Sequence, residues 1–304
     1  MELRRIPNTD IEVSTICLGT MTFGTPVGEY DAVRLVHWAI DNGINFFDTA
    51  DIYEGYARSM GSAGGVAETI LGKALKGRRE RVYVTTKVGN PVGGEGYKGT
   101  GLGREHVIHQ IDDSLKRLQT DYVDFYELHK SDADTPLTET VSIVVKLIEQ
   151  GKVLHWGFSN FEARHIHDMV TICDVNDWPR PVVAQPSLNW LDRAAESEYL
   201  PACVEYDIAV TPYTVLSGGV LTGKYHPGED APPDSRAGEN PAWKKVPDQA
   251  TFERLMKFES EAAKLGLEPV QYAVKWVLDR PNVVSAIVGA KRIEQLEPLV
   301  GMFK

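Results

Sequence analysis

Short, β-branched apolar runs alternate along the chain with segments whose apolar positions recur at helical spacing. The strands this predicts are residues 15–18, 44–48, 82–88, 122–129, 153–159, 182–188, 208–215 and 283–289. Each reads as a continuous apolar run rather than an apolar/polar alternation, as expected of strands buried on both faces. Amphipathic helical patterns occupy residues 29–41, 67–75, 104–118, 138–150, 163–175, 197–206 and 251–265, and again 270–279 and 293–300. Gly43 and Gly151 stand just past two of these helices, where a left-handed C-terminal cap is wanted. Strand–helix alternation repeated eight times predicts a parallel (β/α)8 barrel, with an open doubly wound sheet as the alternative.

No composition break divides the 304 residues, so one domain over residues 1–304 is expected. Residues 226–247, with five prolines and no apolar period, read as a single long loop after strand seven. Because the chemistry of such barrels sits at the C-terminal ends of the strands, polar residues that end a strand run are the candidates to weigh.

Charge and composition narrow the partners. With 32 Lys+Arg against 43 Asp+Glu the formal charge is -11. Such a chain lacks the field that draws proteins to nucleic acid or anionic lipid, so an anionic ligand must meet a local cluster of donors. No apolar run reaches the roughly 18 residues of a membrane span, and the first residues carry no secretory pattern. Cys17, Cys173 and Cys203 are odd in number and set in apolar surroundings, which predicts reduced cysteines and a cytoplasmic protein. A metal site is not expected: His165 and His167, two apart on a predicted helix, diverge.

Three neighbouring strands deliver unlike polar groups to one rim. The second ends in Asp48-Thr49-Ala50-Asp51-Ile52-Tyr53, the third in Thr85-Thr86-Lys87, and the fourth runs through Glu127-Leu128 into His129-Lys130. Singly, each has an ordinary explanation as a cap, packing or rim residue. Together they make a proton donor. A phenol titrates near pH 10, and a cation within about 4–6 Å favours its anion, so Lys87 is expected to lower the Tyr53 pKa while Asp48 holds the ammonium. His129 is left to orient a carbonyl oxygen. Such a group protonates an oxygen that gains negative charge, as a carbonyl does on receiving hydride. The Tyr83/Lys87 spacing, which would matter on a helix, falls in a strand and is discarded.

These segments, with G-K-V-L-H-W-G-F-S-N-F at 151–161 and L-S-G-G-V-L-T-G-K-Y at 216–225, resemble the aldo-keto reductase superfamily from about Leu18 to Leu296. The resemblance implies a (β/α)8 barrel that reduces aldehydes or ketones with NADPH. It assigns Tyr53 as general acid, Lys87 and Asp48 as its supporting pair, and His129 as the carbonyl-binding residue. It also covers NADP-binding regulatory subunits of potassium channels, which turn over poorly; the Trp156–Ser159 run is similar to theirs.

For the cofactor the resemblance implies Ser159, Asn160 and Gln185 on the nicotinamide carboxamide and Tyr213 stacked on the ring. It adds Gly19, Thr20, Met21, Asp48, Thr214, Leu216, Leu221, Gly289 and Gln295 to the cofactor positions, and Phe23 beside Tyr53 and His129 at the substrate. The loop holding Ser217, Gly218, Gly219, Gly223 and Lys224 suits a pyrophosphate, since glycine lets backbone N–H groups approach closely. Lys291 and Arg292 ahead of the last helix suit a phosphate on the adenosine ribose, the main argument for NADP over NAD. A Rossmann fingerprint is absent: Gly93, Gly94 and Gly96 lie in a long loop that reads as flexible. Two positions depart from the family pattern, Val215 where a proline is usual and Leu299 where an asparagine is. The glycine-rich insertion between Tyr53 and Gly72 is expected to shape substrate access, and Met21, Phe23, Tyr56 and Trp156 are candidates for the pocket wall, with core packing an equal explanation for Trp156. The substrate itself and the oligomeric state are not readable.

Overall fold

In a computed structural model, residues 1–59, 61–93, 98–242 and 245–303 are described. A hairpin, β1 (Leu3–Arg5) and β2 (Glu12–Ser14), opens the chain. The alternation then runs β3 (Ile16–Gly19), α1 (Glu29–Asp41), β4 (Phe46–Asp48), α2 (Val66–Leu75), β5 (Tyr83–Val88), α3 (Arg104–Leu118), β6 (Val123–Leu128) and α4 (Leu137–Glu149). It continues through β7 (Val153–Ser159), α5 (Ala163–Asn176), β8 (Val183–Gln185), α6 (Tyr199–Glu205) and β9 (Ala209–Val210). The last part holds α7 (Arg236–Glu239), α8 (Gln249–Lys264), α9 (Pro269–Leu278), β10 (Ala286–Gly289) and α10 (Glu297–Gly301).

The eight strands β3 to β10 form one parallel sheet in the order β10-β3-β4-β5-β6-β7-β8-β9. A further parallel bridge, Val210 to Val283, joins its two ends, with Val284 N–H donating to Val210 and Ile287 N–H to Pro212. The fold is the (β/α)8 barrel. Every predicted strand and helix is present, most with shifted ends, and Gly43 and Gly151 take the expected left-handed conformation at φ +88 and +71. Two corrections follow. The hairpin was not foreseen, because three-residue strands leave too short a pattern to read. The stretch 226–247 is not all loop: α7 interrupts it, begun by Ser235, whose hydroxyl accepts from the Gly238 N–H.

The hairpin closes the lower end of the barrel. Ile6, Ile11 and Val13 join Cys17, Phe46, Phe125, Val183 and Val284 in a separate apolar cluster, with Phe46 and Phe125 edge-to-face at 5.6 Å. Burying a ring of this size stabilises by about 1.5–3 kcal/mol, and Ile6, Val13, Phe46 and Phe125 are all buried in this plug. The larger core lies between the sheet and the helices and includes Trp156, Tyr126, Phe158 and Phe258. All three cysteines are free and buried. Among the described residues, no helix is long and apolar enough to cross a membrane.

Candidate active site

Parity along the strands selects which side chains enter the barrel. Asp48 ends β4, Lys87 lies in β5 opposite Glu127 of β6, and Gln185 ends β8 opposite Ser159 of β7. All five are buried. Lys87 Nζ, with no exposed surface, donates to Asp48 Oδ1 at 2.6 Å, to the Thr49 carbonyl at 2.8 Å and to the Tyr53 hydroxyl at 3.3 Å. Three partners match the three hydrogens of an ammonium, which offsets the desolvation that otherwise makes a buried charge costly. Burial pulls the Lys87 pKa down, but Asp48, Tyr53 and Glu127 together carry it above its ordinary value, so the cation is permanent.

The expected effect on Tyr53 needs correction. Burial, the larger influence, lifts the phenol to about 12, and the opposing pull of Lys87 only moderates the rise. Sequence position predicts a cation near the ring but not that the ring itself would lose its water. The phenol is therefore a firmly protonated donor. His129 lies edge-to-face with it at 5.9 Å between centroids. Burial, then Lys87 and Lys130, push the imidazole well below its ordinary value, so it is neutral.

From Gln185 a hydrogen-bond chain runs around the rim. Its side-chain amide nitrogen donates to Asp48 Oδ1 at 2.8 Å and Glu127 Oε2 at 3.0 Å, and its main-chain carbonyl accepts from Ser159 Oγ at 2.8 Å. Asn160 donates to Ser159 Oγ and to the His129 carbonyl, both at 2.9 Å, and accepts from the Tyr213 hydroxyl at 2.6 Å. The residues assigned to proton transfer and those assigned to the nicotinamide thus form one connected surface. The sequence alone assigns Glu127 no role. The signal was legible: a glutamate near the C-terminal end of a wholly buried strand, in register with Lys87.

Whether this rim fits a dinucleotide is tested by its backbone. Asn160, Thr214 and Ser217 sit at φ +57, +57 and +49, with Gly218, Gly219 and Gly223 also positive. For threonine that is a rare conformation, and such strain gathers where a ligand must be met. The glycine run lies against Lys224, whose Nζ a Cβ at Gly219 would meet at 3.1 Å, so an open backbone and a cation stand together as a pyrophosphate requires. Met21, Leu216 and Ser217 are half-buried, Gly289 is exposed, and Gln295 accepts from the Lys291 N–H at 2.8 Å.

Other candidates fall elsewhere. Phe23 and Trp156 have no exposed surface and pack in the core, so neither is brought to the pocket wall. Gly19, Thr20 and Leu221 lie beneath the rim, Thr20 donating to the Asp48 carbonyl at 3.0 Å. Leu299 is wholly buried. Lys291 is not free: its Nζ binds Glu239 at 2.7 Å and the Asp234 carbonyl, while Arg292 pairs with Asp234 at 3.0 Å. The insertion after Tyr53 is tied down by Glu54, which accepts from Gly64 N–H and Ser62, with Arg58 bound to the Pro91 carbonyl. Of the glycine-rich loop at 93–101, residues 94–97 lie outside the described residues. Two shallow clefts of about 380 and 400 Å³ flank the rim near Asp132 and Phe161, and neither contains Tyr53 or Lys87.

The aldo/keto reductase family model matches residues 15–304. The chain belongs to that family. Its members are oxidoreductases that generally use NAD(P)H. A probable voltage-gated potassium channel subunit beta from Arabidopsis thaliana is 34% identical over 98% of this chain and 89% of its own. The uncharacterized oxidoreductase YrpG of Bacillus subtilis is 34% identical over 99% of this chain and 90% of its own. Among solved structures, the glycerol dehydrogenase AKR11B4 from Gluconobacter oxydans is similar with a TM-score of 0.80 and 28% identity, over 99% of this chain and 90% of that one. This aldo/keto reductase therefore has relatives described in enzymatic and in channel-associated terms.

Proposed function

We propose that this protein reduces the carbonyl of an aldehyde or ketone to an alcohol, with NADPH as cofactor and Tyr53 as general acid. The observation that carries the reading is the buried contact series Tyr53–Lys87–Asp48–Gln185. It joins a proton donor to a candidate nicotinamide-binding amide. A bound NADPH supplies hydride. Neutral His129, protonated on Nε2, donates to the carbonyl oxygen, since its Nδ1 is buried without a partner among the described residues and is less costly as a bare acceptor. Tyr53 Oη then gives its proton to the oxygen that has gained charge, and Lys87 stabilises the phenolate left behind. An alkoxide is a stronger base than a phenolate, so a pKa near 12 does not obstruct the transfer.

Ser159, Asn160 and Gln185 hold the carboxamide, Tyr213 backs the ring, Ser217 to Lys224 receive the pyrophosphate, and Lys291 with Arg292 receive the ribose phosphate. Three free, buried cysteines suit a reducing compartment such as the cytoplasm.

A second reading, an NADP-binding subunit of a potassium channel with little turnover, is favoured by the Arabidopsis relative and by a rice relative of the same description, 35% identical. Purified protein with NADPH and a panel of aldehydes and ketones decides between them. Steady oxidation over many turnovers supports the enzyme. Tight NADPH binding with no more than about one cofactor oxidised per chain supports the subunit, and no binding at all defeats both.

A further inference from the structure

Among the described residues, two carboxyl groups and one ammonium meet in the polar layer of the barrel, and burial lifts the Glu127 carboxyl to about 8. Asp48 is matched by Lys87, but Glu127 is an additional acid, only 1% exposed, with its Oε2 directed at Gln185. The residue opposite on β7 is Gly157, where a Cβ would lie 2.3 Å from the Val183 carbonyl oxygen, so an alanine there would collide with β8.

Gln185 Nε2 spans the two acids at 2.8 and 3.0 Å. An amide presents two donors on nitrogen and acceptors only on oxygen. Both nitrogen hydrogens meet carboxyl oxygens here, and the reversed amide would set a carbonyl oxygen against the Asp48 oxygen that already accepts from Lys87. With one acid alone the amide could swing about its terminal torsion; with two, on different strands, it is fixed.

We propose that Glu127 is a positioning residue: with Asp48 it clamps the nitrogen of the Gln185 amide to the floor and so turns Oε1 upward, where it accepts from the N–H of the nicotinamide carboxamide. This rests on the NADPH-dependent reading above. Glu127 touches neither substrate nor cofactor; it acts through Gln185. Recognition of a carboxamide, as distinct from tight binding of any dinucleotide, is therefore set one layer below the ligand.

The test compares NADP with its acetylpyridine analogue, whose methyl ketone replaces the carboxamide and has no N–H. Kd values for both are taken by calorimetry on the wild type, Glu127→Gln, Glu127→Asp and Glu127→Met. The wild type is expected to favour NADP by about five- to tenfold, the size of one net hydrogen bond. Glu127→Gln still presents an acceptor to Gln185 and should keep that ratio. Glu127→Met should bring it close to one by weakening NADP alone, and Glu127→Asp, whose carboxyl is withdrawn by one methylene, should fall between. A general loss of structure would weaken both ligands alike, and that outcome overturns the proposal, as does a ratio unchanged in Met. Should Glu127→Met not fold, Glu127→Asp decides: a ratio equal to wild type overturns the proposal. If wild type binds NADP and reduces carbonyls while the ratios stay constant, only the role of Glu127 fails. If wild type binds no dinucleotide, the functional reading fails first.

Discussion

Lys87 Nζ stands 3.3 Å from the Tyr53 hydroxyl, nearer to Asp48 at 2.6 Å than to the phenol it serves. The ammonium is thus anchored first by the carboxylate and offered second to the tyrosine. On the proposed reading, its task is to stabilise the negative charge that Tyr53 would acquire when the proton leaves.

Replacing Tyr53 by Phe should abolish carbonyl reduction, by at least about a hundredfold in kcat, while leaving the Kd for NADPH within about twofold. Only the transition state uses the hydroxyl proton, so stopped-flow turnover and equilibrium titration separate the two effects. Retained wild-type turnover in this variant would show that another group is the acid.

The pH profile follows from burial. Tyr53, raised to about 12, keeps its proton across the neutral and moderately alkaline range, and only its protonated form is the acid. Reduction measured at saturating NADPH should therefore show no loss from Tyr53 until well above about pH 10, the ordinary phenol value. A limb centred near neutral pH that tracks tyrosinate absorbance would mean that Lys87 outweighs burial once ligands are bound.

Cofactor preference should respond to the ion pairs at the ribose-phosphate position. Lys291→Glu together with Arg292→Glu should raise KM for NADPH more than for NADH. Conversely, Asp234→Asn with Glu239→Gln removes the carboxylates that now occupy these cations. Because exposed pairs are worth about 0–1 kcal/mol, this second change should tighten NADPH by no more than about fivefold and leave NADH unaltered. Equal effects on both cofactors would place the phosphate elsewhere.

Asp51 has no exposed surface, and neither carboxyl oxygen has a hydrogen-bond partner among the described residues. Burial, then repulsion from Glu68, raises its pKa well above the ordinary value. A folded-state value above the unfolded one means that folding takes up a proton. Its stabilising contribution is full below about pH 4 and is lost as pH rises through the folded value. Asp51→Asn should therefore be nearly neutral at low pH and stabilising, on the order of 1–3 kcal/mol, at alkaline pH. Thermal melts of both chains across pH would show the gap widening upward; a constant gap would mean that Asp51 is charged and paired.

Much of this protein is written locally. Helices α1 and α3 and strand β7 have the bounds their periodicity predicts, because amphipathic spacing, glycine caps and β-branched runs act between near neighbours. Asp48, Tyr53, Lys87 and His129 were legible as a set for the same reason: strand order in a barrel is chain order, so three successive strand ends must share a rim. What depends on segments far apart in the chain was not legible. The lifted pKa of Tyr53 requires knowing that the ring is dry, the capture of Lys291 and Arg292 by Asp234 and Glu239 requires the fold of the long connection, and Phe23 shows its true place only when packed. The joining of Gln185 to both Asp48 and Glu127 likewise depends on closure of the sheet. Desolvation and long-range pairing are properties of enclosed space, and space is enclosed only by the assembled barrel.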